Sequence, residues 1–303
     1  MRRRLWRLRE LTMADRFGMG WRPELAAGIF SSLDRIEVVE VLADDYLGKS
    51  ARQTRALKTL ASQVPIVLHG VSMGLASSVP VERRRLDDMA RLVDGLQPES
   101  WSEHFAFVRG GGLEIGHLAA PPRTHAVIEG GARNIAMARS AVGSAPLMEN
   151  IATLIDPPGS RLDEPDWLSA MVHAADCDLL LDLHNVYVNC MNFGLDARDF
   201  LARIPADRIG AIHIAGGKWI EASEGSSGER QRRLLDDHRH EVPKEVYDLL
   251  TEVGARTEKD LTVILEHDAD FPPMEHLLGQ LDRARRALSE GRARQEKARV
   301  PRP

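Results

Sequence analysis

The chain has 303 residues, of which 43% are hydrophobic and 28% are charged, which is typical of a globular protein with a sizeable core. Its formal charge of −5 does not favour binding to nucleic acid or to an anionic membrane, and no apolar stretch reaches the roughly 18 residues that a membrane span needs. The two cysteines, Cys177 and Cys190, lack CxxC spacing, which favours a reducing cytoplasmic location and a packing role for both.

The two ends of the chain differ in composition from the rest. Residues 1–15 are basic but lack the apolar core of a secretory signal, so we expect an N-terminal extension. Residues 286–303 are rich in Arg, Ala, Glu and Gln, which predicts a solvated tail. We expect residues 16–285 to form one catalytic domain, because α/β barrels of this length fold as single units.

Within this domain, short apolar runs alternate with helical patterns. The predicted strands are 16–20, 36–42, 64–69, 99–104, 145–149, 178–183, 209–214 and 261–266. The predicted helices are 50–62, 81–96, 123–141, 165–174, 196–203, 243–254 and 273–289, with a shorter one after Pro23. Eight such units predict a single (β/α)8 TIM barrel. An open doubly wound sheet is the alternative, although no dinucleotide-binding fingerprint follows the first strand.

Two long segments carry no clear pattern. Residues 105–122 follow the fourth strand and are rich in Gly and Pro, and residues 215–242 follow the seventh. Loops of this length in a compact barrel are usually functional or disordered. The second contains the run Asp236–His240, so we expect it to be a long functional loop.

Residues that commonly bind metals stand where the predicted strands end. They are His69, His104, Glu149, Asp182, His213 and Glu266. The carboxyl ends of barrel strands share one rim, so these side chains should meet there. A buried carboxylate is costly unless it is paired or binds a metal. Asp182 has a second interpretation, since with Asn185 it could cap the following segment.

Three further residues are candidate ligands. His184 is a weaker one, on the same face as Asp182 if the strand continues, and Asp236 and His238 have the same i, i+2 relation in the loop. The whole set exceeds the needs of one ion, which indicates at least two ions and a bridging carboxylate. Mixed His and carboxylate ligation suits iron that activates oxygen. For five other histidines we favour structural roles: His117, His125, His173, His267 and His276. His240 is instead expected to contact a metal-binding residue or the substrate.

Several motifs resemble those of the multinuclear non-haem iron-dependent oxidative enzymes, the family that includes the iron enzyme of methanobactin biosynthesis. They occur in the family's order between about residue 16 and residue 285. The motifs are Gly18–Glu24, Leu68–Ser72, Ser102–His104, Glu149–Asn150, Leu181–Asn189, His213–Gly217, Asp236–His240 and Leu265–Asp268. The resemblance implies a TIM barrel that holds two or three irons in mixed Fe(II)/Fe(III) states, with dioxygen as co-substrate.

The resemblance also implies a reaction and a set of site residues. The substrate would be a Cys, Asn or Asp residue of a ribosomally made precursor peptide, and a small partner protein would recruit that peptide. Glu149 would bridge two irons. The implied iron ligands are His69, His104, Glu149, Asp182, His213, Asp236, His238 and Glu266, and those on the barrel strands would form the catalytic centre.

Two other functions fit the same residue types. A sugar-isomerase-like barrel or a phosphate-ester hydrolase with two or three ions would also be rich in His and carboxylates. A non-catalytic peptide-binding or metal-binding protein is the third possibility, and loss of several rim residues would be its mark. All six strand-end residues are present, which favours an enzyme.

Overall fold

The computed structural model describes residues 14–50, 52–222 and 231–299. The strands in chain order are β1 (Arg16–Gly20), β2 (Val38–Leu42), β3 (Ile66–His69), β4 (Trp101–His104), β5 (Phe107–Gly110), β6 (Leu113–Ala119), β7 (Leu147–Glu149), β8 (Leu179–Asp182), β9 (Ile209–Ile214), β10 (Gly217–Ala222), β11 (Gln231–Asp236) and β12 (Thr262–Leu265). The α-helices are α1 (Ala26–Ser31), α2 (Arg55–Ala61), α3 (Arg83–Leu96), α4 (His125–Val142), α5 (Glu164–Ala175), α6 (Leu183–Phe193), α7 (Ala197–Arg203), α8 (Lys244–Arg256) and α9 (Met274–Arg299). Short 3₁₀ helices span Pro23–Leu25, Ala43–Asp45 and Ala206–Arg208.

Eight parallel strands close into a barrel in the order β1-β12-β9-β8-β7-β4-β3-β2. All eight were predicted from the sequence, each within two residues at either end, and the fold is a (β/α)8 TIM barrel. Closure through β1 and β12 excludes the open doubly wound sheet. Among the described residues, no helix is long and apolar enough to cross a membrane.

The barrel strands are buried along almost their whole length, because helices cover them on the outside and side chains fill the interior. Close packing is visible between β1 and β2. A Cβ atom at Gly18 would lie 1.9 Å from the backbone oxygen of Val38, so only glycine fits there. Trp101 and Phe105 are among the largest fully buried side chains and anchor the region around β4.

Helix α6 was missed by the sequence prediction, which placed no helix between residues 183 and 195. Asp182 caps its N-terminus, since its side chain accepts a hydrogen bond from the Asn185 N–H. Gly194 ends it with a left-handed φ of 68°. An Asp N-cap and a C-terminal Gly are ordinary helix signals, so the sequence carried the information.

The two patternless segments contain antiparallel hairpins rather than irregular loops. Strands β5 and β6 pair after β4, and β10 and β11 pair after β9. The connection between β10 and β11, residues 223–230, lies outside the described residues. Asp236 therefore ends a strand, which corrects the prediction that it lies in an irregular excursion.

The C-terminal segment also differs from the prediction of a solvated tail. Helix α9 continues to Arg299, and Leu288 and Gly291 are buried on it. A Cβ atom at Gly291 would lie 2.2 Å from the backbone oxygen of Thr251, so α9 packs very closely against α8. Residues 1–13 of the N-terminal extension and residues 300–303 of the tail lie outside the described residues.

Candidate metal centre

The register of the barrel strands brings the strand-end residues to one rim. His104 is level with Glu149 on the neighbouring strand, and Asp182 is level with His213. His69 is level with Ser102, whose Oγ lies 2.7 Å from His69 Nδ1. All of the strand-end candidates are buried, so the rim carries a compact cluster of buried polar side chains.

Glu149 lies at the centre of this cluster, and its two oxygens face different neighbours. Its Oε2 is 3.4 Å from His69 Nε2 and 3.2 Å from His104 Nε2. Its Oε1 is 3.2 Å from His213 Nδ1, which in turn lies 3.1 Å from Glu266 Oε2. A carboxylate that faces two separate groups of ligand atoms has the geometry needed to bridge two ions.

The orientation of His104 leaves one ring nitrogen available to an ion. Its Nδ1 lies 3.0 Å from the backbone oxygen of Gly70, and a carbonyl can only accept a hydrogen bond. In the neutral ring Nδ1 therefore carries the proton and Nε2 offers its lone pair toward Glu149. A second hydrogen-bond partner that fixes the tautomer is the usual arrangement around metal-binding histidines.

Glu40 belongs to the cluster but was missed by the sequence prediction. It lies on β2, is buried, and places Oε2 2.9 Å from His213 Nε2. Its side chain lies within ligand-binding distance of both His69 and His213. The available signal was a charged residue in the middle of the apolar run Val38–Leu42, because an unpaired charge is rarely buried in a strand.

Asp182 caps a helix and keeps one carboxylate oxygen as a candidate metal ligand. Its Oδ1 caps α6 by accepting from the Asn185 N–H at 2.7 Å, whereas its buried Oδ2 has no hydrogen-bond partner among the described residues. Asn150 fixes the backbone of Asp182, accepting from its N–H and donating to its carbonyl oxygen at 2.9 and 3.0 Å. One carboxylate oxygen is thus structural, and the other is directed toward the cluster.

A second group of ligand types joins α6 to the hairpin. His184 Nδ1 lies 2.7 Å from Asp236 Oδ1, and His238 Nε2 lies 2.9 Å from the same oxygen. His238 also approaches the strand-end group, with its Nδ1 3.7 Å from Glu266 Oε2. The basis for including His184 was wrong, because it lies on a helix and not on a continued strand.

The donor set fits a multinuclear metal centre. Several buried atoms at the cluster have no hydrogen-bond partner among the described residues, including Glu149 Oε2, Asp182 Oδ2, His238 Nε2 and Glu266 Oε2. Buried polar atoms without partners are costly, and an ion would satisfy them. Four groups of ligand atoms are close enough to hold an ion, and three of the groups share members. Together the four comprise Glu40, His69, His104, Glu149, Asp182, His184, His213, Asp236, His238 and Glu266.

The electrostatics of the cluster follow from burial and mutual contact. Burial alone would lower the pKa of His104, but Glu149 and Glu103 beside it raise that pKa to about 9. Burial would raise the pKa of Glu149, but the surrounding histidines, His213 first, lower it overall. At Asp182 burial raises the pKa, and the Glu149 carboxylate raises it further. An ion that binds here must displace protons from the histidines.

Thiolate ligation plays no part among the described residues. Cys177 and Cys190 are both buried and unbonded, and burial raises the pKa of each thiol to about 12. The packing role predicted for them agrees with this environment. Of the histidines given structural roles, His117 lines the cavity described below but lies outside the ligand groups, and His276 lies on α9, 2.7 Å from Glu241.

A cavity of about 620 Å³ opens above the cluster. Its floor contains His69, Glu149 and Glu266, and its walls contain apolar side chains from the loop after β7, from α6 and from β11. The apolar wall residues include Ile151, Leu154, Val188, Leu234 and Leu235. The cavity is large enough for an amino-acid side chain together with its neighbours along a peptide.

Comparison with known proteins identifies the family. The family model described as RiPP precursor modification enzyme MbnB/TglH/ChrH matches residues 16–289. The chain belongs to this family. The resemblance found in the sequence is therefore confirmed, and the chain is an enzyme of a family that modifies RiPP precursor peptides. The match ends within α9, four residues beyond the predicted domain boundary at 285, and that boundary stays a prediction.

Relatives are found in diverse bacteria. A UPF0276 protein of Acaryochloris marina is 33% identical over 282 residues, covering 93% of this chain and 98% of the relative. A UPF0276 protein of Anaeromyxobacter sp. (strain Fw109-5) is 30% identical over 267 residues, covering 88% and 90%. Both matches extend over most of this chain and of each relative.

Solved structures with the same architecture include sugar epimerases. An L-ribulose 3-epimerase aligns with a TM-score of 0.55 at 15% identity, covering 95% of this chain and 99% of that chain. A D-psicose 3-epimerase from Clostridium cellulolyticum H10 aligns with a TM-score of 0.53 at 13% identity, covering 92% and 99%. At this level of identity the likeness establishes the barrel fold and not the reaction.

Proposed function

We propose that this chain is a non-haem iron oxidoreductase that uses dioxygen to modify a Cys, Asn or Asp residue of a ribosomally made precursor peptide. The observation that carries the proposal is the position of Glu149, whose two oxygens face two different groups of buried histidines and carboxylates. That arrangement calls for at least two ions. The family supplies the peptide as the substrate class.

Iron is the metal that we propose for this centre. Imidazole nitrogens and carboxylate oxygens without thiolates suit iron, manganese and zinc, and only redox-active iron or manganese adds electron-transfer chemistry. When bound, two or three irons would supply the one-electron steps that let dioxygen oxidise an organic side chain. His69, His104, Glu149, Asp182, His213 and Glu266 would hold them at the strand ends, and Asp236 and His238 at the hairpin.

The protein's own residues bind and orient the reactants. Asn150 and Asn185 lock the ends of β7 and β8 together, because Asn185 Nδ2 donates to the Asn150 carbonyl at 3.0 Å while Asn150 holds Asp182. This keeps the carboxylates at fixed positions relative to one another. The apolar walls of the cavity, including Leu154 and Val188, would enclose the peptide and exclude water from the reacting side chain.

The hairpin β10–β11 is the element most suited to meet the peptide and the small partner protein that we propose to deliver it. The side chains of Leu234 and Leu235 line the cavity, and Trp219 is exposed on β10. The Arg232 guanidinium lies 5.1 Å from the Trp219 ring centroid, and Arg233 donates to the Asn192 carbonyl. Arg232 is therefore the better placed of the two arginines to receive an acidic segment of the peptide.

Co-expression with the precursor peptide encoded beside the gene tests the proposal. Mass spectrometry of that peptide should show a mass change confined to a Cys, Asn or Asp residue, and the purified enzyme should contain more than one iron per chain. Turnover in vitro should consume dioxygen and stop in its absence. A matched Glu149→Gln variant should leave the peptide unmodified.

The same experiment separates the alternatives. A zinc or magnesium enzyme of the sugar-isomerase or phosphate-ester class would keep its activity after rigorous removal of iron and would consume no dioxygen. A non-catalytic protein would bind the peptide and leave its mass unchanged. Either result would overturn the proposal.

A further inference from the structure

His238 needs support that its own segment does not provide. It follows β11 and adopts a left-handed φ of 49°, a conformation that non-glycine residues rarely take. No barrel strand carries it, in contrast to His69, His104 and His213. Its Nε2 nevertheless lies 2.9 Å from Asp236 Oδ1, inside the hairpin-side group of ligand atoms.

Asp268 contacts His238 at two points. Its backbone N–H donates to the His238 carbonyl oxygen at 2.8 Å, and its Oδ2 lies 3.2 Å from His238 Nδ1. A carboxylate only accepts hydrogen bonds at neutral pH, so it keeps the proton of the neutral ring on Nδ1. The lone pair of Nε2 is then directed toward Asp236.

Arg22 holds the other oxygen of Asp268. Its Nη2 donates to Asp268 Oδ1, and its Nη1 donates to the Trp21 carbonyl at 2.8 Å. Arg22 follows β1 and Asp268 follows β12, and these neighbouring strands close the barrel. Both side chains line the cavity, and the Arg22 side chain is only 23% exposed. The chain of contacts thus connects a rigid part of the barrel to the least supported ligand.

We infer that Arg22 and Asp268 are positioning residues for His238: Arg22 orients the Asp268 carboxylate, and Asp268 fixes the tautomer and direction of the His238 ring. The inference rests on the proposed metal centre, because its consequence is how firmly the hairpin-side ion is held. Arg22 and Asp268 do not themselves belong to the ligand groups, so they would act on the ion only through His238.

Metal release from the iron-loaded enzyme tests the inference. Asp268→Asn keeps the shape of the side chain, but the amide can donate to Nδ1 and favour the wrong tautomer. Losing such a partner costs about 10- to 100-fold in metal affinity, so we expect one iron of the chain to be released to a chelator faster by about that factor, with the remaining iron unaffected. Arg22→Gln should act on the same iron to a smaller extent, and Arg22→Lys should recover part of the loss.

Arg239→Gln is a matched control. Arg239 is adjacent to His238 and pairs with Asp270 at 2.6 Å, so it joins the same two segments without touching the His238 ring. Its loss should leave iron release unchanged. If Arg239→Gln accelerates release as strongly as Arg22→Gln, or if every iron is released faster in the variants, the effect is general loosening and the inference is wrong.

A double-mutant cycle distinguishes a residue that acts through the His238 ring from one that only stabilises the fold. Once His238→Ala has removed the ring, Arg22→Gln should have no further effect on iron release, because the residue acts through that ring. Additive effects would overturn the inference. Thermal unfolding shows whether each variant folds. If Asp268→Asn does not fold, the variants of the partly exposed Arg22 still test the inference.

The outcomes also distinguish this inference from the proposed function. A wild-type enzyme that retains no iron contradicts the iron centre itself. A wild-type enzyme that retains its iron, together with variants that release it at the wild-type rate, contradicts only the assignment of Arg22 and Asp268.

Discussion

The two parts of the ligand cluster are built in different ways. The strand-end group comprises His69, His104, Glu149, Asp182, His213 and Glu266, and its members lie at or next to the ends of parallel strands in a closed barrel. The hairpin-side group comprises His184, Asp236 and His238, which come from a helix, an antiparallel hairpin and the turn after it. Ladder hydrogen bonds fix the backbone of the first group on both sides, whereas the second depends on contacts between separate elements.

This difference predicts a difference in how firmly ions are held. Ligands on rigid elements lose little conformational freedom when an ion binds, but ligands on a hairpin and a turn must be ordered at a cost. The hairpin also lines the cavity that would have to admit a peptide. We therefore expect the strand-end group to hold its ions tightly and the hairpin-side group to hold its ion more weakly.

The largest effect should follow from Glu149→Ala. Its carboxylate faces both halves of the strand-end group, so its loss should remove more than one ion and abolish turnover. Because losing an outer partner of a ligand already costs about 10- to 100-fold in affinity, losing a bridging ligand should cost more. Metal analysis of the purified protein measures this, with His276→Ala as a control that should retain the full complement. Full metal content in Glu149→Ala would show that this carboxylate is not a bridge.

A smaller and more selective effect is expected on the hairpin side. Asp236→Ala or His238→Ala should remove one ion and most turnover while leaving the barrel folded and the strand-end ions in place. Metal content measured under limiting iron allows a direct comparison with His69→Ala, which should lose iron from the strand-end group. If His69→Ala and His238→Ala lose equal amounts of iron, the hairpin-side group does not hold its ion more weakly than the strand-end group.

Glu40→Gln should weaken metal binding without abolishing it. Glu40 lies against Nε2 of His213, so that Nδ1 remains directed toward Glu149 and Glu266. Replacing the charged acceptor by an amide should lower affinity for the adjoining ion by on the order of tenfold. Titration with iron after chelation measures the change, and the exposed Glu24→Gln is the control. An unchanged affinity would mean that Glu40 does not orient His213.

The smallest effect concerns pH. The pKa of His104 is raised from 6.5 to about 9, so its protonated form stabilises the fold fully below pH 6.5, and this contribution is lost as the pH rises through 9. Metal binding removes the same proton and should strengthen over that interval. The melting temperature of chelated protein should therefore fall between pH 6.5 and 9 while that of metal-loaded protein rises. If the melting temperatures of the chelated and the metal-loaded protein change with pH in parallel, the metal does not displace the proton of His104.

The strand-end residues could be predicted because they combine two local signals. An apolar run of four to six residues predicts a buried strand, and a His or carboxylate at its end is conspicuous against that background, as at Leu68-His69 and Leu181-Asp182. The eight predicted strands, most of them apolar runs, determine the barrel, and the barrel places their ends together whatever their separation in the chain. The sequence therefore determined the fold. Nine of the ten residues that the structure brings together in the candidate ligand groups had been singled out from the sequence, and Glu40 is the tenth.

Tertiary structure decided what depends on contacts between distant segments. Glu40 lies within its strand rather than at the end, and only the pairing of β2 into the barrel brings it to His213. His184 was included on the assumption of a continuing strand, yet it reaches Asp236 because α6 packs against the hairpin. The contact of Arg22 with Asp268 spans 246 positions. Local sequence encodes strand, helix and cap, because those depend on near neighbours. The closure of the barrel decides which distant side chains come close enough to share an ion.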